Sequence, residues 1–89
     1  MKAYLLRVHG LVQGVFYRKH TKEKAGEFNV SGYVRNCDDG SVEVFAEGDE
    51  LQVRLFIEWC HIGPRGARVS KVDIHEQPLK NSRDFIIAH

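Results

Sequence analysis

Cysteine is scarce in this chain of 89 residues. The two cysteines, Cys37 and Cys60, stand 23 positions apart and lack the Cys-x-x-Cys spacing of a metal or redox site. A disulfide scaffold normally carries more cysteines, and a cytosolic protein keeps its thiols reduced. We therefore expect two partly buried free thiols rather than a disulfide framework.

Long hydrophobic runs are also absent. The strictly apolar runs, such as Leu55–Ile57, are far too short to span a bilayer, and the N-terminus lacks the apolar stretch of a secretory signal. Hydrophobic residues make up 43% of the chain and charged residues 28%, which is ordinary for a globular protein. No linker rich in Pro, Gly or Ser divides the sequence. We expect a single domain over residues 1–89, cytoplasmic and without membrane contact.

The net charge of +1 conceals an uneven distribution. Residues 1–37 carry seven basic and two acidic side chains, whereas residues 38–58 carry one basic and seven acidic side chains. A basic first third beside an acidic middle favours a small anionic ligand near the N-terminal part. It argues against a nucleic-acid-binding protein, which needs basic residues across one whole face.

Two periodicities predict the secondary structure. Period-two alternation predicts five strands, the last one short, at residues 4–9, 30–36, 41–47, 67–76 and 84–88. Helical spacing predicts one helix over 16–28, ended by Asn29, and a second from the N-cap Asp49 to the stop at Gly63. Asp39-Gly40 predicts a hairpin between the second and third strands. This order predicts an α+β fold, the ferredoxin-like split βαβ sandwich with two helices on one face of an antiparallel sheet.

The junction between the first strand and the first helix has the composition of an anion site. Glycines at Gly10 and Gly14 let the backbone turn its N–H groups toward a common point, and the N-terminus of the following helix adds free donors and partial positive charge. Arg18 lies in the first turn, where its guanidinium group can bind two phosphate oxygens. The sequence therefore predicts a phosphate-binding site here.

These residues also resemble a known family. The run Val8–Arg18 resembles the first signature of the acylphosphatase family, in which Gly-x-Val-Gln-Gly-Val precedes a phosphate-binding arginine. The run Gly32–Gly48 is similar to the second signature, which contains an active-site asparagine, and Trp59–Val69 is similar to a third helix-to-strand stretch. The resemblance covers nearly the whole chain, and the family fold is the split βαβ sandwich predicted above.

The resemblance implies hydrolysis of the carboxyl–phosphate bond of a small-molecule acyl phosphate, giving a carboxylate and inorganic phosphate. It implies that Arg18 binds the phosphate and that Asn36 orients the water. The segment whose backbone holds the phosphate corresponds here to Gln13, Gly14, Val15, Phe16, Tyr17 and Arg18. Because the leaving carboxylate is stable, the reaction needs no general acid, and positioning supplies most of the catalysis.

No cofactor or metal is expected. The five histidines show no His-x-x-x-His or Cys/His ligand spacing; they are His9, His20, His61, His75 and His89. One departure from the family pattern is Tyr17, which stands where the family usually has Phe, and a buried tyrosine hydroxyl requires a hydrogen-bond partner. A second departure is Phe28-Asn29 in place of the usual Leu-Gly at the end of the helix, which the left-handed tolerance of Asn explains.

Three alternatives stay open at this point. The first is a non-catalytic phosphate- or anion-binding regulatory module, which only turnover distinguishes from an enzyme. The second is an RNA-binding βαββαβ module that stacks bases on Phe45, which Glu43 and Glu47 on the same face disfavour. The third is an acylphosphatase-like domain of a larger maturation enzyme, which a chain ending at His89 disfavours. The absence of a long exposed apolar stripe favours a monomer.

Overall fold

The computed structural model describes all 89 residues of the chain. Five strands and two helices follow the predicted order, namely β1 (Lys2–Leu11), α1 (Tyr17–Glu27), β2 (Ser31–Asn36), β3 (Val42–Gly48), α2 (Glu50–Ile62), β4 (Arg68–Gln77) and β5 (Phe85–Ile87). Neither helix is long and apolar enough to cross a membrane.

The strands form one sheet in the order β4-β1-β3-β2-β5. The first four are antiparallel to their neighbours, and the helices α1 and α2 pack on the sheet, so the ferredoxin-like α+β fold is confirmed. The short extra strand β5 is the exception, because it runs parallel to β2, with Gly32 opposite Phe85. The sheet is therefore mixed, and the parallel pair brings the last residues of the chain beside the end of β2.

The helix-facing side of the sheet holds the core. Its fully buried strand residues are Leu6, Val8, Val34, Val42, Val44 and Ala46. Helix α2 adds the buried residues Val53, Phe56 and Cys60, and Asp49 caps its first turn by accepting the N–H of Gln52. The apolar side chains of this core are almost completely buried, and their removal from water is the main favourable contribution to folding.

A β-bulge near the end of β1 gives Gly10 a different role from the loop position that the sequence predicts. The pairing of β1 with β4 shifts between His9 and Gly10, where Gly10 lies opposite Val69. The φ angle of Gly10 is 124°, and a Cβ atom there would lie 2.0 Å from the carbonyl oxygen of Arg68. Gly10 therefore serves the close approach of two strands inside the sheet, and the loop begins only after Leu11.

The segment 78–84 covers the part of the opposite sheet face around Glu47 and Phe45. The backbone N–H groups of Lys80, Asn81 and Ser82 donate to the carboxylate of Glu47. The ammonium group of Lys80 lies 4.5 Å from the ring centroid of Phe45, which is 1% exposed. Phe45 is therefore not available for stacking on a nucleotide base.

Candidate active site

A cavity of about 400 Å³ lies where α1, β2 and β5 meet. The predicted site residues Arg18 and Asn36 both line this cavity. The residues that line it are Val12, Gln13, Gly14, Phe16, Tyr17, Arg18, Lys19, Asn36, Ile87 and His89. Of the predicted loop, only Val15 does not line the cavity, because its side chain packs against the core. Val12, Lys19, Ile87 and His89 were not predicted as site residues.

The N-terminus of α1 is rich in unpaired donors. The backbone N–H groups of residues 14 to 19 donate to no protein acceptor, and the first intrahelical bond runs from His20 N–H to the Phe16 carbonyl at 3.1 Å. No side chain caps this end, and its first turn contains no acidic residue. These six N–H groups are unpaired, five of the six residues line the cavity, and the positive end of the helix dipole lies beside it.

Phe16 shapes this end of the helix. Its φ and ψ angles are 63° and 23°, in the left-handed region, and Gly14 has a φ of 75°. Glycine adopts such angles freely, whereas a bulky residue at positive φ is strained by about 1–3 kcal/mol. Left-handed residues just before a right-handed turn aim successive N–H groups toward one point. The glycine spacing predicts the turn, but the sequence carries no signal for a left-handed phenylalanine.

Arg18 has no partner within the protein. Arg7 and Arg35, by contrast, both contact the carboxylate of Glu43, at 3.2 and 3.0 Å. Their hydrogen bonds, together with that of Tyr33, outweigh burial and hold the pKa of Glu43 below its ordinary value. No ion pair includes Arg18 or Lys19, and no aspartate or glutamate lines the cavity. The cavity is therefore a site of uncompensated positive charge, which suits an anion.

Asn36 is the last residue of β2, where it pairs with Val42. It follows the buried Val34 by two positions, so both side chains lie on the helix-facing side of the sheet. The Oδ1 atom of Asn36 is buried and has no hydrogen-bond partner in the protein. Buried polar atoms are almost always paired, so this acceptor is suited to a water molecule or a substrate group.

Gln13 connects the two halves of the site. Its Nε2 atom donates to the carbonyl oxygens of Cys37 and Ser41, each at 2.8 Å. Cys37 follows Asn36 directly, and its own N–H donates to Ser41. The Gln13 side chain therefore ties the loop before α1 to the hairpin after Asn36. The family resemblance implied a role only for the backbone of this residue.

Three of the five histidines have partners within the protein and do not line the cavity. His9 lies 2.9 Å from Asp73, while His20 and His61 face the carbonyls of Phe16 and Ile57 in their own helical segments. No group of three or more His, Cys, Asp or Glu side chains is placed to hold a metal ion. His89 alone among the histidines lines the cavity.

The sequence model of the acylphosphatase family matches residues 4–87. The chain belongs to the acylphosphatase family. With this membership comes the general activity of the enzyme, the hydrolysis of acyl phosphates.

Individual relatives agree with the family. An acylphosphatase from Acidovorax sp. (strain JS42) is 48% identical over 80 residues, which cover 90% of this chain and 82% of the relative. The crystal structure of acylphosphatase from Bacillus subtilis superimposes with a TM-score of 0.97 at 33% identity and covers all of both chains. The crystal structure of T. kodakarensis HypF contains a similar region, with a TM-score of 0.88 and 36% identity. That match covers all of this chain but 12% of HypF.

Proposed function

We propose that this enzyme holds the phosphoryl group of its substrate with Arg18 and the backbone N–H groups of residues 14–19, and that Asn36 holds the attacking water. One observation supports this division of roles. A single cavity joins unpaired backbone donors, an unpaired guanidinium group and a buried carbonyl acceptor without a partner. Donors suit the phosphoryl oxygens, whereas the acceptor suits a water proton.

The phosphoryl group requires charge stabilisation rather than covalent chemistry. Phosphoryl transfer passes through a loose transition state whose negative charge is spread over three oxygens. The guanidinium fork of Arg18 binds two of these oxygens, and the N–H groups at the start of α1 bind the remaining charge. Because the donors are already oriented, they need no reorganisation when the P–O bond breaks.

The water attacks phosphorus opposite the departing carboxylate. Asn36 accepts one of its hydrogens at Oδ1 and thereby directs an oxygen lone pair toward phosphorus. A P–O bond to the water forms as the bond to the acyl oxygen breaks, and the electron pair leaves with the carboxylate. The other water proton passes to a phosphoryl oxygen, so the products are the carboxylate and inorganic phosphate, and no side-chain base is required.

The setting of the reaction is also part of the proposal. We propose that residues 1–89 act as one domain, a cytoplasmic monomer whose partner is the small-molecule acyl phosphate, with no cofactor, metal, membrane or nucleic acid. The cavity lies at one end of the sheet, and the covered Phe45 lies on the opposite face. An anion-binding regulatory module has the same cradle, so turnover is the deciding measurement.

The test is turnover of benzoyl phosphate by the wild type and two variants. Arg18→Ala should nearly abolish turnover and also weaken inhibition by inorganic phosphate, because it removes a group that binds the phosphoryl oxygens in every state. Asn36→Ala should lower kcat on the order of 10²-fold with little change in phosphate inhibition. The matched control is Arg54→Ala, which removes an exposed arginine of α2 that no ion pair involves.

Other results would contradict specific parts. A fully active Arg18→Ala enzyme would remove the arginine from the cradle. A destabilised Asn36→Ala enzyme with wild-type kcat would mean that Asn36 only ends strand β2 and has no role in catalysis. A wild type that binds phosphate without turnover would be the regulatory module. Activity should survive EDTA, and a loss restored by one divalent metal would refute metal independence.

A further inference from the structure

Helix α1 carries Arg18 but has few buried groups of its own. Its buried residues are Tyr17, Thr21 and Ala25, and Tyr17 is the largest of them. Tyr17 is 1% exposed, although it stands between Phe16, which is 73% exposed, and Arg18 at the cavity. The position of the first turn of α1 therefore depends on what Tyr17 contacts.

The Tyr17 ring packs on the last turn of α2. Its centroid lies 5.7 Å from that of Trp59, with the rings tilted by 35°. A Cβ atom at Gly63 would lie 3.0 Å from the Cε2 atom of Tyr17. Glycine at this position, with a φ of 75°, therefore lets the chain leave α2 close to the ring.

The Tyr17 hydroxyl makes the polar link between the two helices. It donates to the carbonyl oxygen of Cys60 at 2.7 Å, and this bond is buried. Cys60 lies among the last four residues of α2, whose carbonyls have no intrahelical donor. The preceding carbonyl, of Trp59, accepts the N–H of Gly63 at 2.8 Å. The hydroxyl thus satisfies a buried carbonyl that the helix itself leaves open.

We propose that Tyr17 is a positioning residue for the reaction and that it acts through its hydroxyl group. It fixes the first turn of α1 on the end of α2, and thereby holds Arg18 and the free N–H groups of that turn at the cavity. The inference rests on the proposed role of Arg18. The family usually has phenylalanine at this position, so Tyr17 differs by one hydroxyl. Packing of the ring does not require that hydroxyl, and the inference assigns it a function.

Thr21 offers a matched control. Its buried hydroxyl donates to the carbonyl of Tyr17 at 2.7 Å, four residues earlier in the same helix. Thr21→Val removes a buried hydroxyl of α1 without breaking a link between the helices. Tyr17→Phe removes a buried hydroxyl and keeps the ring, so the two variants differ in whether α1 loses its attachment to α2.

The experiment measures kcat, KM and phosphate inhibition with benzoyl phosphate, at a temperature well below the melting temperature of both variants. Tyr17→Phe should lower kcat/KM roughly tenfold and weaken phosphate inhibition severalfold, because a small displacement of positioning groups is costly in rate. Thr21→Val should lose thermal stability while its kinetic constants stay within about twofold of the wild type.

Two results would overturn the positioning role. One is a Tyr17→Phe enzyme with wild-type kcat/KM and phosphate inhibition, whatever its melting temperature. The other is an equal kinetic loss in Thr21→Val, which would make the effect one of general stability. Arg18→Ala separates this inference from the proposed function. If Arg18→Ala is inactive and Tyr17→Phe is unchanged, only the positioning role fails, whereas a fully active Arg18→Ala enzyme removes the basis of both.

Discussion

The two helices occupy equivalent places in the fold but begin in opposite ways. Helix α2 starts after Asp49, whose carboxylate accepts the N–H of Gln52 at 3.4 Å, and its first turn contains Glu50. Helix α1 starts after Phe16, in a left-handed conformation, with no side-chain cap and no acidic residue in its first turn. The first helix leaves its N-terminal donors unpaired, and the second supplies its own acceptors.

In the proposed function, this difference distinguishes a helix end that stabilises the fold from one that binds the phosphoryl group. An acid at an N-cap satisfies a free N–H group and complements the helix dipole, which stabilises the protein. Such an acid at α1 would occupy the donors that we propose bind the phosphoryl group, and it would repel that group. The sequence instead places Gly14 and Phe16 there, at the expense of local stability, which is typical of functional sites.

Among changes to the helix ends, the largest effect is expected from giving α1 the acid that α2 has. Phe16→Asp places a carboxylate at the N-cap of α1, and its repulsion of the phosphoryl group should raise both KM and the inhibition constant for phosphate at least tenfold. Stability should not fall, because Asp tolerates left-handed angles better than Phe. Kinetics and melting curves at two salt concentrations check this, since screening should reduce the kinetic effect.

Leu51→Asp provides the control for that variant. Leu51 lies in the first turn of α2 and is 57% exposed, so the substitution again replaces an exposed apolar side chain with an acid at a helix start. Its kinetic constants should equal those of the wild type. If Leu51→Asp impaired phosphate binding as strongly as Phe16→Asp, the contrast between the two helix ends would have no bearing on function.

Local chemistry explains which features the sequence predicts. Asp49 caps α2, Asn29 takes a φ of 57° at the end of α1, and helix α2 stops before Gly63. Each depends on a residue and its nearest neighbours, so each can be recognised in the printed sequence. Arg18 and Asn36 were predicted through long motifs, and the fold brings both to one cavity.

Non-local pairing explains what the sequence does not predict. A three-residue strand such as β5 has no pattern that fixes its direction, so its parallel pairing with β2 was missed, and with it Ile87 and His89 at the cavity. The hydrogen bonds of the Gln13 side chain and the bulge at Gly10 depend on atoms from segments more than twenty residues away. Side-chain identity alone carries no information about such partners.

A smaller effect is expected from removing the cap of α2. Asp49→Ala deletes the acceptor for the Gln52 N–H, and it should lower the free energy of unfolding by about 0.5–1 kcal/mol, the low end for an N-cap because the bond is long. Urea unfolding measures this change. Turnover and phosphate inhibition should match the wild type, and a kinetic defect in Asp49→Ala would mean that the end of α2 also shapes the site.

The smallest effect is expected from Asn29→Gly at the C-terminal end of α1, where backbone donors pair with the last carbonyl groups of the helix. The N–H groups of Phe28, Asn29 and Val30 donate to Lys24, Gly26 and Ala25, respectively. Asn29→Gly relieves the cost of a left-handed asparagine but increases the freedom of the unfolded chain, so the free energy of unfolding should change by only a few tenths of a kcal/mol.

Asn29→Ala has no such compensation and should destabilise by about 1 kcal/mol. Both variants should keep wild-type kcat and phosphate inhibition, because the proposed phosphoryl site uses only the N-terminus of α1. A kinetic change in Asn29→Gly, measured beside its unfolding curve, would show that the whole helix rather than its first turn tunes the site.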